Sequence, residues 1–242
     1  MTIRDAVLAG FGLAAMVGAL VVQFVKFTRD RPRPSPGVAA AGGVSGSSKV
    51  VDPDGDCGIH VSPGELRFVV PGTLHDLNTT EGGKHNAPRV LREVTGDFVA
   101  EVRLPERPRP GGAGTHAYRL AYHGAGLLIE WGDERTVRLE VAAVVRDGQV
   151  APYLLFAHRE AGDPVNHDSG LPATDDPIWL RLERKGSRVT PSYSLDGTSW
   201  KVVKAVNLDL PATVGVGVAA VNTAEKPMSV RLLDLKIEAR GR

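Results

Sequence analysis

The sequence predicts an all-β fold, an antiparallel β-sandwich preceded by one N-terminal transmembrane helix. Three observations predict it. Residues 6–25 are apolar almost without interruption, with Gln23 the one strongly polar side chain. From Val50 onward apolar residues recur at every second position, the period of a strand with one buried face. Between these runs stand glycine-containing turn dipeptides such as Asp147-Gly148 and Asp196-Gly197, which close hairpins because glycine takes positive φ at little cost.

At about 1.5 Å per residue, a helix over residues 6–25 spans roughly 30 Å, the thickness of a bilayer's hydrocarbon core. The run is longer than a usual signal-peptide core, and no small-x-small cleavage pattern directly follows it. The expectation is therefore an uncleaved single-pass anchor over residues 1–27. Lys26, Arg29, Arg31 and Arg33 follow the helix, whereas Arg4 stands alone before it, so the positive-inside rule leans toward a cytoplasmic domain. Residues 28–49 are rich first in Pro and then in Gly, Ala and Ser. This is the composition of a linker, stiff at first and then flexible. The sandwich domain is expected over residues 50–242.

Within it, Phe98, Ala100, Val102 and Leu104 share one face of a strand. Val137, Leu139, Val141, Ala143 and Val145 share a face of another, with Arg138 and Glu140 opposite. Ile178 to Glu183 alternates likewise, and Gly186-Ser187 separates it from a further run. Pro191 interrupts that run and places it at an edge or a bulge, since proline lacks the ladder N–H. Val214-Gly215-Val216-Gly217-Val218 leaves one strand face without side chains, which predicts a close approach there. Leu233, Leu235 and Ile237 are expected to face the core from the last strand.

Charge and cysteine count exclude several functions. The formal net charge is +1, so no basic field attracts nucleic acid. A single cysteine, Cys57, leaves no internal disulfide to support the fold. The seven histidines show no zinc spacing. Asp52, Asp54 and Asp56 have the spacing of a calcium loop, but Cys57 holds the glycine position and Pro63 the place of the closing glutamate. No metal and no cofactor are expected.

The order Gly124-Ala125-Gly126-Leu127-Leu128-Ile129-Glu130-Trp131, Trp179-Leu180-Arg181-Leu182-Glu183-Arg184, Tyr193-Ser194-Leu195-Asp196-Gly197-Thr198-Ser199-Trp200 and Val214-Gly215-Val216-Gly217-Val218 resembles the concanavalin-A-like lectin and glucanase sandwiches. It is most similar to the "regulation of enolase"-like branch, a domain of unknown function. Val51 to Cys57, Val70 to Leu77 and Asn86 to Leu91 resemble its bacterial members. The resemblance implies a two-sheet jelly roll with a concave face, a fold that hosts lectins, glycosidases and inert spacers alike.

Glucanases of that fold carry Glu-x-Asp-x-x-Glu or a near variant on one strand, and no such run exists here. Glu130-Trp131-Gly132-Asp133-Glu134 breaks the spacing that paired catalytic carboxyls need. No catalytic residues are assigned, and the chain is expected not to be an enzyme. The leading expectation is a membrane-tethered binding module for a glycan or a protein. The alternative is a structural or regulatory interaction domain without a small ligand, and a glycosidase-like enzyme ranks third. The candidate ligand residues are Trp131, Arg138, Glu140, His75, Asp76, Asn86 and Arg89. They combine paired donors and acceptors with one apolar platform, which is what a sugar requires. The simpler reading of Arg138 and Glu140 is a charge ladder that solubilises an outer strand face.

Overall fold

The computed structural model describes residues 47–116, 119–132, 134–171 and 175–240. The expected anchor over residues 1–27 and the linker up to residue 46 lie outside them. Among the described residues no helix is long and apolar enough to cross a membrane. The strands are β1 (Lys49–Val51), β2 (Gly58–Ser62), β3 (Glu65–Val70), β4 (Arg89–Thr95), β5 (Asp97–Leu104), β6 (Tyr122–Trp131), β7 (Arg135–Arg146) and β8 (Gln149–Arg159). They continue with β9 (Val165–Asn166), β10 (Ser169–Gly170), β11 (Ile178–Lys185), β12 (Arg188–Ser194), β13 (Lys201–Val202), β14 (Val206–Asn207), β15 (Thr213–Asn222) and β16 (Met228–Arg240). A 3-10 turn at Thr80–Gly82 is the one helical piece among the described residues.

The strands form two antiparallel sheets. The first runs β1-β4-β15-β6-β7-β8-β10, with β9 against β8; the second runs β13-β12-β11-β5-β16-β3-β2, with β14 against β12. The inward faces of both sheets meet in one core that includes Phe68, Phe98, Phe156, Leu139, Leu180 and Leu182. Phe98, Leu139, Val141, Leu180, Leu182, Val216 and Val218, the residues that strand periodicity turns inward, are fully buried.

Local chemistry explains the joints. The β7–β8 hairpin turns at Asp147 (φ 51°) and Gly148 (φ 74°), both in the left-handed region that a two-residue turn of this kind requires. Pro191 pairs with Leu182 on one side. On its other side it falls between the short strands β13 and β14, where a missing N–H costs nothing. The bare face of β15 also has its close neighbour: a Cβ on Gly217 would overlap the Val90 carbonyl of β4.

The last strand departs from simple alternation. Leu235 is only partly buried, while Leu232 is fully buried and Ile237 nearly so. A bulge between Leu233 and Lys236 shifts the register against β5, and Asp234 takes φ 56° within it. An extra residue in one strand reverses which side chains face inward. The inward set is therefore Met228, Val230 and Leu232 before the bulge and Ile237 after it, not the unbroken series Leu233, Leu235 and Ile237.

Candidate functional site

Residues 71–88 leave the second sheet after β3 and fold over the outer face of the first, the face turned away from the core. Leu77 and Ala87 are buried there against Leu91, Leu128, Ala219 and Val221, a second and smaller apolar cluster. Backbone bridges pin the loop, His75 to Asn222 and Leu77 to His85. Burying the loop's apolar residues on this face sets its polar residues beside the charged residues of β4, β6 and β7.

Three networks result. In the first, Arg138 donates to Glu140 through Nε at 2.7 Å and Nη2 at 2.9 Å, and the Tyr122 hydroxyl donates to the same carboxylate at 2.5 Å. Asp76 stands 3.9 Å from Arg138 and pairs with Arg119. Its other oxygen accepts from the backbone N–H groups of Leu77 and Asn78. Burial pulls the Arg138 guanidinium down, but Glu140, Tyr122 and Asp76 outweigh it and hold it above its ordinary value. Burial, and then the Glu140 carboxylate, push the Tyr122 phenol up. Tyr153 of β8, 6.4 Å from Tyr122 between ring centres, is pushed up by burial and by Asp168.

In the second network, Glu130 of β6 accepts from Arg89 at 2.7 and 3.1 Å and from His85 at 3.0 Å. Burial would raise this carboxyl, but the bonds from His85 and Arg89 prevail and hold it below the usual carboxylate range. The third network is bracing. The Asn86 amide donates to Asp54 and to the Leu74 carbonyl, both at 2.7 Å, and its oxygen accepts from the Asp76 N–H at 3.0 Å.

Of the seven candidate residues, the structure brings Arg138, Glu140 and Asp76 together and sets Arg89 and Asn86 in the adjoining networks. Two stand elsewhere. Trp131 packs into the inner core cluster, an odd number of residues from Leu128 and Glu130 and so away from Arg138, but it also lines the cleft at the end of β6. His75 is fully buried and faces Asp56. The solubilising-ladder reading of Arg138 and Glu140 is also corrected, because they are 8 % and 1 % exposed. The aromatics that do flank this pair are Tyr122 and Tyr153, which alternation in β6 and β8 does not single out without the register Gly126 to Glu140 and Ala142 to Tyr153. Arg119 and Glu130 are not singled out by the sequence either, although Glu130 carries a weak signal, its shared parity with Leu128; His85 stands on the same loop as Asn86, shortly before Arg89.

On the same outer face, β1, β4, β15 and the end of β6 frame a cleft of about 680 Å³. Leu91 and Gly215 lie among its lining, together with Lys49, Arg89, Glu93 and Glu130. A Cβ on Gly215 would stand 3.3 Å from the Glu130 carbonyl and 3.5 Å from the Leu91 side chain, so the glycine keeps the cleft open. Lys49 and Glu93 make no ion pair among the described residues, which leaves both with free hydrogen-bonding capacity.

A two-sheet antiparallel sandwich with a loop-covered, ion-paired outer face and an adjoining cleft defines the class. The chain belongs to the family described as "Protein of unknown function (DUF1349)", whose model matches residues 77–240. No curated protein matches it. Among solved structures it is similar to a functionally unknown protein from Saccharomyces cerevisiae, at 14 % identity and TM-score 0.63, over 81 % of this chain and 97 % of that one. It is also similar to the GH43 protein BlXynB from Bacillus licheniformis, at 15 % identity and TM-score 0.55, over 74 % of this chain but only 34 % of that one. A third is the alginate lyase from Klebsiella pneumoniae, at 11 % identity and TM-score 0.51, over 76 % of this chain and 85 % of that one. At these identities the likeness is one of fold.

Proposed function

We propose that this chain is a non-catalytic carbohydrate-binding module that seats its ligand in the cleft between β1 and the end of β6. The observation that carries the reading is the composition of that cleft. Its volume of about 680 Å³ lies within the range of about 300–1,000 Å³ typical of small-ligand sites. An apolar floor at Leu91 is ringed by donors and acceptors, and Lys49 and Glu93 are not consumed by pairing among the described residues. Arg138 and Glu140, in contrast, spend their bonds on each other, and we read them as the brace that holds residues 71–88 in place. A binding role rather than hydrolysis is supported by Glu130, which His85 and Arg89 keep ionised. A general acid needs the opposite shift. The names of two neighbours, a GH43 protein and an alginate lyase, accord with a carbohydrate ligand. Within the family we keep the kinship with the regulation-of-enolase branch, and we propose that residues 6–25 tether the module to a membrane.

The test is calorimetric titration of the full chain with xylo-oligosaccharides and with oligo-alginate, followed by the Lys49→Ala and Glu93→Gln variants. Binding of either sugar that weakens at least about tenfold, or about 1.4 kcal/mol, in both variants supports the cleft. Binding unchanged in both places the ligand elsewhere, and no binding to a broad glycan array favours the interaction-domain alternative.

A further inference from the structure

Three groups of different ligand chemistry meet at the far side of the loop. The connection from β1 to β2 carries Asp56 and Cys57, and the connection after β3 carries His75. One ligand atom from each of the three lies within 4.8 Å of the others. The His75 Nε2 is 2.9 Å from Asp56 Oδ1, and the Cys57 Sγ is 3.6 Å from the same oxygen. Ligand atoms around a tetrahedral zinc ion with bonds of about 2.0–2.3 Å stand roughly 3.3–3.7 Å apart, so the three need only small adjustments to share one ion.

The surroundings of His75 point the same way. Its Nδ1 is 3.2 Å from the Thr73 carbonyl oxygen, which can only accept. The Thr73 hydroxyl also lies 3.3 Å from Nδ1; in the tautomer that donates Nδ1–H to the carbonyl, Nε2 carries a lone pair. This is the second bond that orients metal-binding histidines in general. In that tautomer the lone pair faces the Asp56 carboxylate at 2.9 Å, so that one cation can be held by both. Asp52 accepts from the Gly55 and Cys57 N–H groups and Asp54 from Asn86. No lysine or arginine pairs with these aspartates among the described residues. Their negative charge favours a cation over an anion at this loop.

We propose that Asp56, Cys57 and His75 form a binding site for a zinc-like divalent cation. Sulfur and imidazole nitrogen select a borderline-soft ion over calcium, which prefers six to eight oxygens. Binding replaces the Cys57 thiol proton, which passes to solvent, with a metal–thiolate bond; the fourth position is left to water. Asp56 is 46 % exposed and gives the ion its route of entry, whereas His75 is buried. The ion ties the β1–β2 connection to the loop after β3, a cross-link that a chain with one cysteine cannot make as a disulfide.

The experiment uses the untagged full chain, stripped with chelator and titrated with Co²⁺ as the optical stand-in for zinc. The expected result is a saturable near-ultraviolet thiolate-to-cobalt absorption that zinc abolishes, and a thermal midpoint that zinc raises. Cys57→Ser should lose the absorption and the zinc-dependent shift. Because Cys57 packs against the core and its loss could disturb folding, Asp56→Asn provides the second variant. It changes an exposed side chain and should weaken cobalt binding at least about tenfold with an unchanged midpoint in chelator. No near-ultraviolet band at saturating cobalt would overturn the proposal and leave a proton as the bridging centre. So would equal cobalt affinity in wild type and Asp56→Asn.

Discussion

Arg92 stands where the alternation of β4 asks for an apolar residue. Val90 and Val94 on either side of it are in the core, and Arg92 shares their parity opposite Val216 of β15. It is 7 % exposed, its Nε has no hydrogen-bond partner, and no carboxylate pairs with it among the described residues. Arg92 lines the cleft, which supplies what hydration its guanidinium keeps; it gains no Coulombic compensation, and apolar isosteres of buried charges are often the more stable choice. Arg92→Met keeps most of the side-chain volume without the charge. It should raise stability by about 1 kcal/mol, read as a higher urea midpoint with an unchanged slope. A lower midpoint would show that Arg92 is solvated by ordered water. Gly124 illustrates the opposite case of a residue defined by what it lacks. A Cβ there would overlap the Tyr122 hydroxyl and the Glu140 carboxylate, so the bare position lets the tyrosine reach over β6 to β7.

At the scale of the element, β11 turns Ile178, Leu180 and Leu182 inward and β7 turns Val137, Leu139 and Val141 inward. Leu182 of β11 pairs with Ala100 on one side and Pro191 on the other, and it is fully buried. Leu139 of β7 sits between Leu127 and Phe156, also fully buried. Truncation of either to Ala removes buried methyl groups and leaves a cavity that flanking strands, fixed by hydrogen bonds on both sides, close only in part. The expected cost is about 2–5 kcal/mol, measured by denaturant unfolding of each variant. A loss below about 1 kcal/mol would contradict the assigned faces. The bulge of β16 acts in the other sense: Asp234 absorbs one residue of register, donates its N–H to the Gly64 carbonyl at 2.9 Å, and meets Arg103 across the sheet at 3.4 Å.

For the whole molecule, the sandwich closes within the described residues from Lys49 onward. Its two sheets are joined through one core, and the outer face of the first sheet is covered in part by the chain itself. A domain so constituted should fold without its leader. The full chain is therefore expected in the membrane fraction, resistant to alkaline carbonate. A chain beginning at Ser47 should stay in the supernatant with the far-ultraviolet dichroism of a β-protein. Full-length protein in the supernatant would refute the tether, and an unfolded truncated chain would refute the independence of the sandwich.

By itself the sequence determined what is local. Strand periodicity is a property of neighbouring side chains, and it marked the faces of β5, β7, β11 and β15. The Asp147-Gly148 turn was legible because positive φ favours glycine and its aspartate neighbour wherever the chain reverses. Pro191 announced an irregular strand because it lacks a donor. Tertiary structure alone decided what depends on register and on distant segments. The pairing of Gly126 with Glu140 brings Tyr122 to that carboxylate, and one residue of slip would send either side chain to the other face. Trp131 turns toward the core and away from Arg138 because its place in β6 follows that register, and it reaches a cleft only at the end of the strand. The bulge at Asp234 arises from matching β16 to two partners at once, a condition no single strand contains. Cys57 and His75 meet only because the apolar residues Leu77 and Ala87 draw their loop onto the first sheet, and burial of this kind links segments that no spacing along the chain relates.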